Sequence, residues 1–240
     1  PASRRGRRAL ARRSVRVSCQ ALVAPLSHGL ARRQAWGELL HGGRLGLCDA
    51  RGDGLLAQIR GYAPTHLSGA PRFYALYRRA VDDAGGDVAA ATALGGPRLR
   101  FVAVGGAAVP RDLVAFLARC FPAAAVSDGY GMTEVPGGIA RNGVPLPGVQ
   151  VRLAADGEIL VKTTRGRIAA PLDANGWFRT GDVGHWVAGR LEVADRKGAC
   201  VKLANGEFLR PQKAEALYEA RCPSVHACAL VARGGVLAEM

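Results

Sequence analysis

Between Val17 and Asp128 short apolar runs alternate with longer stretches of helical periodicity, and this alternation constrains the fold more than any other feature. VSCQALVAP reads as a strand, and LARRQAWGELLHGG as an amphipathic helix closed by glycine. RLGLC is strand-like, DGLLAQIRGY helical and PTHLSG extended. PRFYALYRRAVDDAGG is helical, with Pro71 suited to a first turn. RLRFVAVGG is a strand, PRDLVAFLARCF a helix and AAVSDGYG a strand. Such strand–helix repeats imply right-handed crossovers and a mainly parallel sheet with flanking helices. Ligands of these sheets bind beyond the carboxyl ends of the strands, where VAVGG and VSDGYG both run into glycines.

The pattern changes after Gly137. A Pro-rich lead-in, VPLPG, precedes two strands, VQVRL and EILVKT, joined by a turn holding Asp156 and Gly157. NGWFRTGDVGHWVAGRLEVAD supplies two more, so the block reads as a small antiparallel β subdomain. From Asp195 a third style begins: a hairpin in KGACVKLANGEFLRP, a helix in PQKAEALYEARC and a strand in VHACALVA. The expected organisation is a basic or non-native segment over 1–16, an α/β part over 17–145, the β subdomain over 146–194 and the start of an α+β C-terminal domain over 195–240, which looks truncated.

Charge bounds the function classes. The formal charge of +14 invites a nucleic-acid reading. However, seven arginines and no acid fall in the first sixteen residues, and without them the balance is 26 basic against 19 acidic residues. No aromatic residue is interleaved with those arginines for base stacking. A nucleic-acid-binding protein therefore ranks last, and no nucleic-acid partner is expected. Transit peptide, disordered tail and non-native sequence stay open for the opening segment. No apolar run is long enough to cross a bilayer. The six cysteines form no CxxC pair, which reads as free thiols in a reducing compartment, cytoplasmic or organellar rather than secreted.

The stretch DGYGMTEVPG places a flat ring, two bare backbone positions, a hydroxyl and a carboxylate within a few residues. Taken with GGAAVP before it, and WFRTGDVG and DRKGACVKLANGEF after it, the order resembles the motif series of the adenylate-forming superfamily. APLSHGLARRQ, VSDGYGMTE, GEILVKT and VKLANGEF look most like long-chain acyl-CoA synthetases, and even more like the adenylation domains of carboxylic acid reductases. The resemblance implies ATP-dependent activation of a carboxylic acid, of the fatty class by the same likeness, to an acyl-adenylate. A thiol, of CoA or of phosphopantetheine on an acyl-carrier domain, then takes the acyl group.

The resemblance also implies roles. Tyr130 offers a ring face to adenine, Gly129 and Gly131 let the backbone approach the nucleotide, and Gly105, Gly106 and Ala107 lie along the adenine. Asp128 accepts from the adenine amino group, Asp182 from the ribose hydroxyls, and Arg196 reaches the ribose or phosphate region. Thr133 offers its hydroxyl to the α-phosphate, and Glu134 is the expected Mg2+ ligand. His28 lines the acyl and adenylate site, Lys202 serves thiol transfer, and Gly198 lies near a hinge where relatives carry Asp or Lys. The family's Ser/Thr/Gly-rich phosphate loop and its terminal adenylation lysine have no counterpart in these 240 residues. The chain by itself is thus expected to bind adenine nucleotides weakly and to form little adenylate. A relative that keeps the fold without turnover remains the alternative.

Overall fold

The computed structural model describes residues 17–49, 54–197, 201–202, 208–209, 211, 214–215, 218, 222, 228–230, 232–233 and 236–237. Its first layer is a seven-stranded sheet in the order β2-β1-β3-β4-β5-β6-β7. The strands are β1 (Cys19–Leu22), β2 (Arg44–Leu47), β3 (His66–Gly69), β4 (Phe101–Gly105), β5 (Ala125–Tyr130), β6 (Ala140–Arg141) and β7 (Val144–Pro145). β1 to β5 pair in parallel, and β6 and β7 add an antiparallel edge. The helices between them are α1 (Gly29–Leu40), α2 (Leu55–Tyr62), α3 (Pro71–Asp83), α4 (Val88–Gly95) and α5 (Arg111–Cys120). The mainly parallel α/β sheet expected from the sequence is present.

The core explains why α3 is fixed against the sheet. Its apolar face buries Phe73, Tyr74, Tyr77 and Val81. The Tyr74 hydroxyl reaches two strands, lying 3.0 Å from the Leu67 carbonyl oxygen and 3.2 Å from that of Ala103. Burying a tyrosine is favourable only when its O–H finds an acceptor, and here it ties β3 to β4. Trp36 has no such role: it lies 64% exposed on α1.

Two elements were not evident in the sequence. α4 is apolar nearly all round, so it lacks the periodicity of a surface helix. Its start is set by Asp87, whose Oδ1 accepts from the Ala90 N–H at 2.7 Å. The β6–β7 hairpin turns on Asn142 and Gly143, with φ of 50° and 72°. Asn-Gly is a strong two-residue hairpin signal, because both central residues need positive φ.

The second layer is an antiparallel sheet, β11-β10-β9-β8, built from β8 (Val149–Leu153), β9 (Glu158–Thr163), β10 (Phe178–Val187) and β11 (Arg190–Arg196). Its inner face joins Val149, Ile159, Val161, Phe178 and Leu191 to Val135, Ile139 and Ala140 of the preceding segment. The register of β10 shifts between Arg179 and Val183, and Gly181 sits there with φ of 73°. Such an irregularity re-aims side chains.

A buried carboxylate holds that irregularity from behind. Glu158 is 3% exposed and its Oε1 accepts from the Gly181 N–H at 3.1 Å. Its Oε2 takes the Arg179 guanidinium and, at 2.9 Å, Lys197 Nζ. The Lys197 N–H in turn donates to the Gly181 carbonyl at 2.7 Å. The Gly181 peptide is therefore gripped at both ends. Burial by itself raises the Glu158 carboxyl, but hydrogen bonds from Lys197 and Arg179 outweigh it and leave the group below its ordinary range.

Beyond β11, β12 (Val201–Lys202) and β13 (Phe208–Leu209) pair antiparallel, as a hairpin there requires. Residues 211, 214, 215 and 218 are helical. In VHACALVA residues 228–230 are not extended in a ladder, and the strand pairing instead falls on β14 (Ala232–Arg233) with β15 (Val236–Leu237). The opening segment, Gly198 and Cys200 lie outside the described residues. The five described cysteines form no disulfide with one another, and Cys19 and Cys120 are buried. Among the described residues no helix is long and apolar enough to cross a membrane.

Two outcomes are expected. A Cβ at Gly105 would lie 2.8 Å from the Gly129 carbonyl oxygen, backbone against backbone. Gly105→Ala should cost about 1–3 kcal/mol in denaturant unfolding, whereas Gly61→Ala, with nothing within 4 Å, should be neutral or stabilising. Equal midpoints for both variants would contradict the packing.

Glu158→Gln should cost on the order of 1–3 kcal/mol at neutral pH. The native carboxylate is harder to protonate than the unfolded one. Its contribution is therefore complete above the ordinary glutamate value of about 4.3 and fades as pH falls through the lowered native value. Acid titration of the wild type should show that loss and the variant should lack it. Superimposable profiles would remove Glu158 from this role.

Candidate nucleotide site at the carboxyl edge of the sheet

Three segments converge where β1, β4 and β5 end. β4 and β5 run side by side in the register Val104↔Asp128 and Gly105↔Gly129. Beyond β4, Gly106 has φ of 85° and Gly106 and Ala107 are exposed, so this edge presents backbone rather than side chain. Gly131 is equally constrained, since a Cβ there would lie 2.9 Å from the Gly138 α-carbon. β5 continues through Gly129 and Tyr130, and the turn begins only after them.

His28 is the residue before α1, with φ of −81° and no capping bond from its ring. Its Cε1 faces Gly106, 3.9 Å from where a Cβ would stand. Thr133 faces the first residue of α1: its Oγ1 is 3.7 Å from a Cβ placed on Gly29. His28, Gly106 and Thr133 thus border one space. Thr133 and Glu134 occupy a turn anchored by buried Val135 and Ile139, and the Glu134 carbonyl accepts from the Ala169 N–H at 2.9 Å.

Asp182 arrives from the other sheet. The shifted register of β10 points it at Tyr130, whose hydroxyl donates to Asp182 Oδ2 at 2.7 Å. Across the β10–β11 ladder Arg196 is its partner, with Nε 3.3 Å from Oδ1. Asp182 is only 6% exposed. Burial raises its carboxyl above the ordinary range, with Tyr130 and Arg196 opposing and the charges of Asp195 and Glu134 adding to the rise. Burial likewise pushes the Tyr130 hydroxyl well up, so it stays a donor.

Asp128 is held through its backbone. Its N–H donates to Asn142 Oδ1 at 3.0 Å, and its carbonyl accepts from the Asn142 N–H at 3.1 Å. Its own Oδ1 is buried with no hydrogen-bond partner among the described residues. A buried acceptor in that state is suited to a donor from a ligand.

The structure therefore brings together His28, Gly105, Gly106, Ala107, Asp128, Gly129, Tyr130, Gly131, Thr133, Glu134, Asp182 and Arg196 around one edge. Lys202 lies on β12, where only the backbone is described. The residues that the motifs did not single out are Asn142, Glu158, Arg179 and Lys197. The Asn-Gly dipeptide was the available signal for the first. The other three stand inside GEILVKT, WFRTGDVG and DRKGACVKLANGEF without an assigned role, and only contacts distant in sequence show what they do. Among the described residues no three His, Cys, Asp or Glu side chains cluster as a metal site.

Comparison with known proteins gives this edge a context. A family model described as "AMP-binding enzyme" matches residues 9–172. The chain is 36% identical over 170 residues to a peroxisomal long chain acyl-CoA synthetase 6 of Arabidopsis thaliana, a match covering 55% of this chain and 24% of that protein. It spans about a quarter of the length of the curated relatives it matches. Its fold is similar to the A domain of carboxylic acid reductase from Segniliparus rugosus, solved with AMP and a co-purified carboxylic acid. There the TM-score is 0.74 and the identity 24%, over 89% of this chain and 40% of that one. An O-succinylbenzoate coenzyme A synthetase from Bacillus subtilis, in complex with ATP and magnesium ion, has a TM-score of 0.66 and 19% identity, over 89% of this chain and 48% of that one. With the family model spanning well over half its residues, the chain belongs to the AMP-binding enzyme family.

Proposed function

We propose that this chain is part of an enzyme that activates a carboxylic acid with ATP. A carboxylate oxygen attacks the α-phosphorus, pyrophosphate leaves, and an acyl-adenylate forms. A thiol then attacks the acyl carbon and displaces AMP. The observation that carries the reading is the Tyr130–Asp182–Arg196 arrangement, which sets a ring, a carboxylate and a cation from both sheets beside the bare ends of β4 and β5.

In this reading the adenine lies along Gly105, Gly106 and Ala107, and its amino group meets the unpartnered Asp128 oxygen. Gly129 and Gly131 allow close backbone approach, with the Tyr130 ring alongside. Tyr130 and Arg196 occupy only part of the Asp182 acceptor capacity, since an ionised carboxylate offers about four lone-pair sites. The remainder serves the ribose hydroxyls. Thr133 directs its hydroxyl at the α-phosphate. His28, across from Gly106, borders the acyl side, and Lys202 belongs to the thiol-transfer step.

The donor set fits magnesium. Mg2+ prefers one or two carboxylates together with phosphate oxygens, so Glu134 beside a nucleotide suffices without a protein cluster. When bound, the ion neutralises phosphate charge. Glu134 itself holds that corner of the site and adds to the negative field at Asp182. The acid is of the fatty or otherwise apolar class, as the names of the synthetase relatives suggest. The acceptor is CoA or a carrier-bound pantetheine, and the setting is cytoplasmic or organellar.

Binding experiments separate the two carboxylates. Asp182→Ala should weaken AMP and Mg-ATP alike, by about 1–3 kcal/mol. Glu134→Ala should weaken Mg-ATP more than AMP. Calorimetry with both nucleotides on both variants checks this, and equal losses throughout would sink the assignment.

Acidification should weaken AMP binding beginning above the ordinary aspartate value of about 3.9, because burial raises Asp182 and protonation removes acceptor capacity. A pH-independent affinity down to that value would count against Asp182 as the ribose ligand. Turnover is tested on the longer parent protein by acid-dependent exchange of labelled pyrophosphate into ATP. Absence of exchange with any carboxylic acid would favour a binding relative without turnover.

A further inference from the structure

The turn that carries Thr133 and Glu134 runs on to Gly137, which has φ of 77°. Its carbonyl oxygen accepts from two guanidinium groups that come from different parts of the chain. Arg33 Nη1 of α1 donates at 2.7 Å, and Arg165 Nη1, just beyond β9, at 3.5 Å. Arg165 also lies flat against the turn, since a Cβ on Gly137 would sit 2.7 Å from its Nη2. Arg141 of β6 adds a third positive charge that bears on Arg33. Burial first, and then the charges of Arg165 and Arg141, push the Arg33 guanidinium below its ordinary range.

None of these three arginines forms an ion pair among the described residues. At the Gly181 turn a carboxylate, Glu158, stands between the cations Arg179 and Lys197. At Gly137 a neutral carbonyl stands in that place. It accepts one N–H from each of two five-donor groups and neutralises neither. Arg33 is exposed as a residue, and the Gly137 carbonyl takes only one of its five N–H donors. A planar fork of donors matches phosphate oxygens well, and several such forks suit a multiply charged anion better than a single carboxylate.

We propose that Arg33 and Arg165 form an oxyanion site that receives a phosphate group from a ligand outside the chain. Two sources carry that chemistry: free pyrophosphate, and a phosphate ester borne on a larger molecule. The site stands on its own geometry. Only the expectation that pyrophosphate is released nearby rests on the adenylate-forming reading.

The test is calorimetry on the 240-residue chain with inorganic pyrophosphate, with adenosine 3′,5′-bisphosphate and with AMP, at two salt concentrations. The double variant Arg33→Gln/Arg165→Gln should bind pyrophosphate at least tenfold more weakly. Arg33→Lys should lose less, because it keeps the charge, and Arg60→Gln on α2 should lose nothing. Arg33→Lys and Arg60→Gln are single changes at exposed positions and keep the test decisive should the double variant misfold. If only pyrophosphate responds to the arginines, the free anion is the ligand. If the bisphosphate responds as well, an ester is accommodated. Pyrophosphate binding indifferent to Arg33 and Arg165, or no binding of either phosphate ligand to the wild type, overturns the site. If AMP fails to bind while pyrophosphate still responds, the adenylate-forming reading falls and the arginine site survives.

Discussion

The hydrogen bond from Tyr130 to Asp182 is the interaction on which the rest of the site depends. It joins the end of a parallel strand to an irregularity in an antiparallel one, and so fixes two sheets at the point where a ligand would enter. A carboxylate as buried as Asp182 is costly to keep ionised unless donors surround it. Tyr130 and Arg196 supply two. Burial still wins, and the carboxyl stays above its ordinary range. A group held in that state gains from further donors, which is the physical reason to expect ribose hydroxyls there.

A second buried carboxylate holds the residue next to the first one. Glu158 grips the N–H of Gly181 while Lys197 grips its carbonyl, and Lys197 returns its ammonium to Glu158. The loop closes on the residue before Asp182. Positive φ at Gly181 would otherwise leave that peptide free to reorient. The order of events in space is therefore packing of the small sheet, then fixation of the Gly181 peptide, then presentation of Asp182 to Tyr130. The two carboxylates differ in direction for a clear reason. Burial raises both; at Glu158 hydrogen bonds from Lys197 and Arg179 outweigh it and the group is lowered, while at Asp182 burial prevails over Tyr130 and Arg196, with Asp195 and Glu134 adding to the rise.

Much of this was legible in the sequence because it is local. Alternation of apolar runs and helical stretches gave the parallel sheet, and the glycines after VAV and VSD marked the edge where its strands end. The motif residues from His28 to Arg196 gather there. α4 was not legible, because an Ala-rich run without a polar face gives no period to read. Trp36, inside the stretch read as an amphipathic helix, is on the exposed side of α1. The Glu158 network was invisible for a different reason. Its members lie about twenty to forty residues apart, and a charged residue in a strand gives no sign of whether it is solvated or clamped. The arginines around Gly137 are likewise indistinguishable, in a chain this rich in arginine, from those that merely cover the surface.

If adenine lies against the carboxyl ends of β4 and β5, 8-azido-AMP should photolabel them. Peptide mapping should then find label within residues 105–107 and 128–131, reduced by excess AMP and by Asp182→Ala. Label confined to other segments, or label in these segments that excess AMP does not compete away, would contradict that placement of adenine.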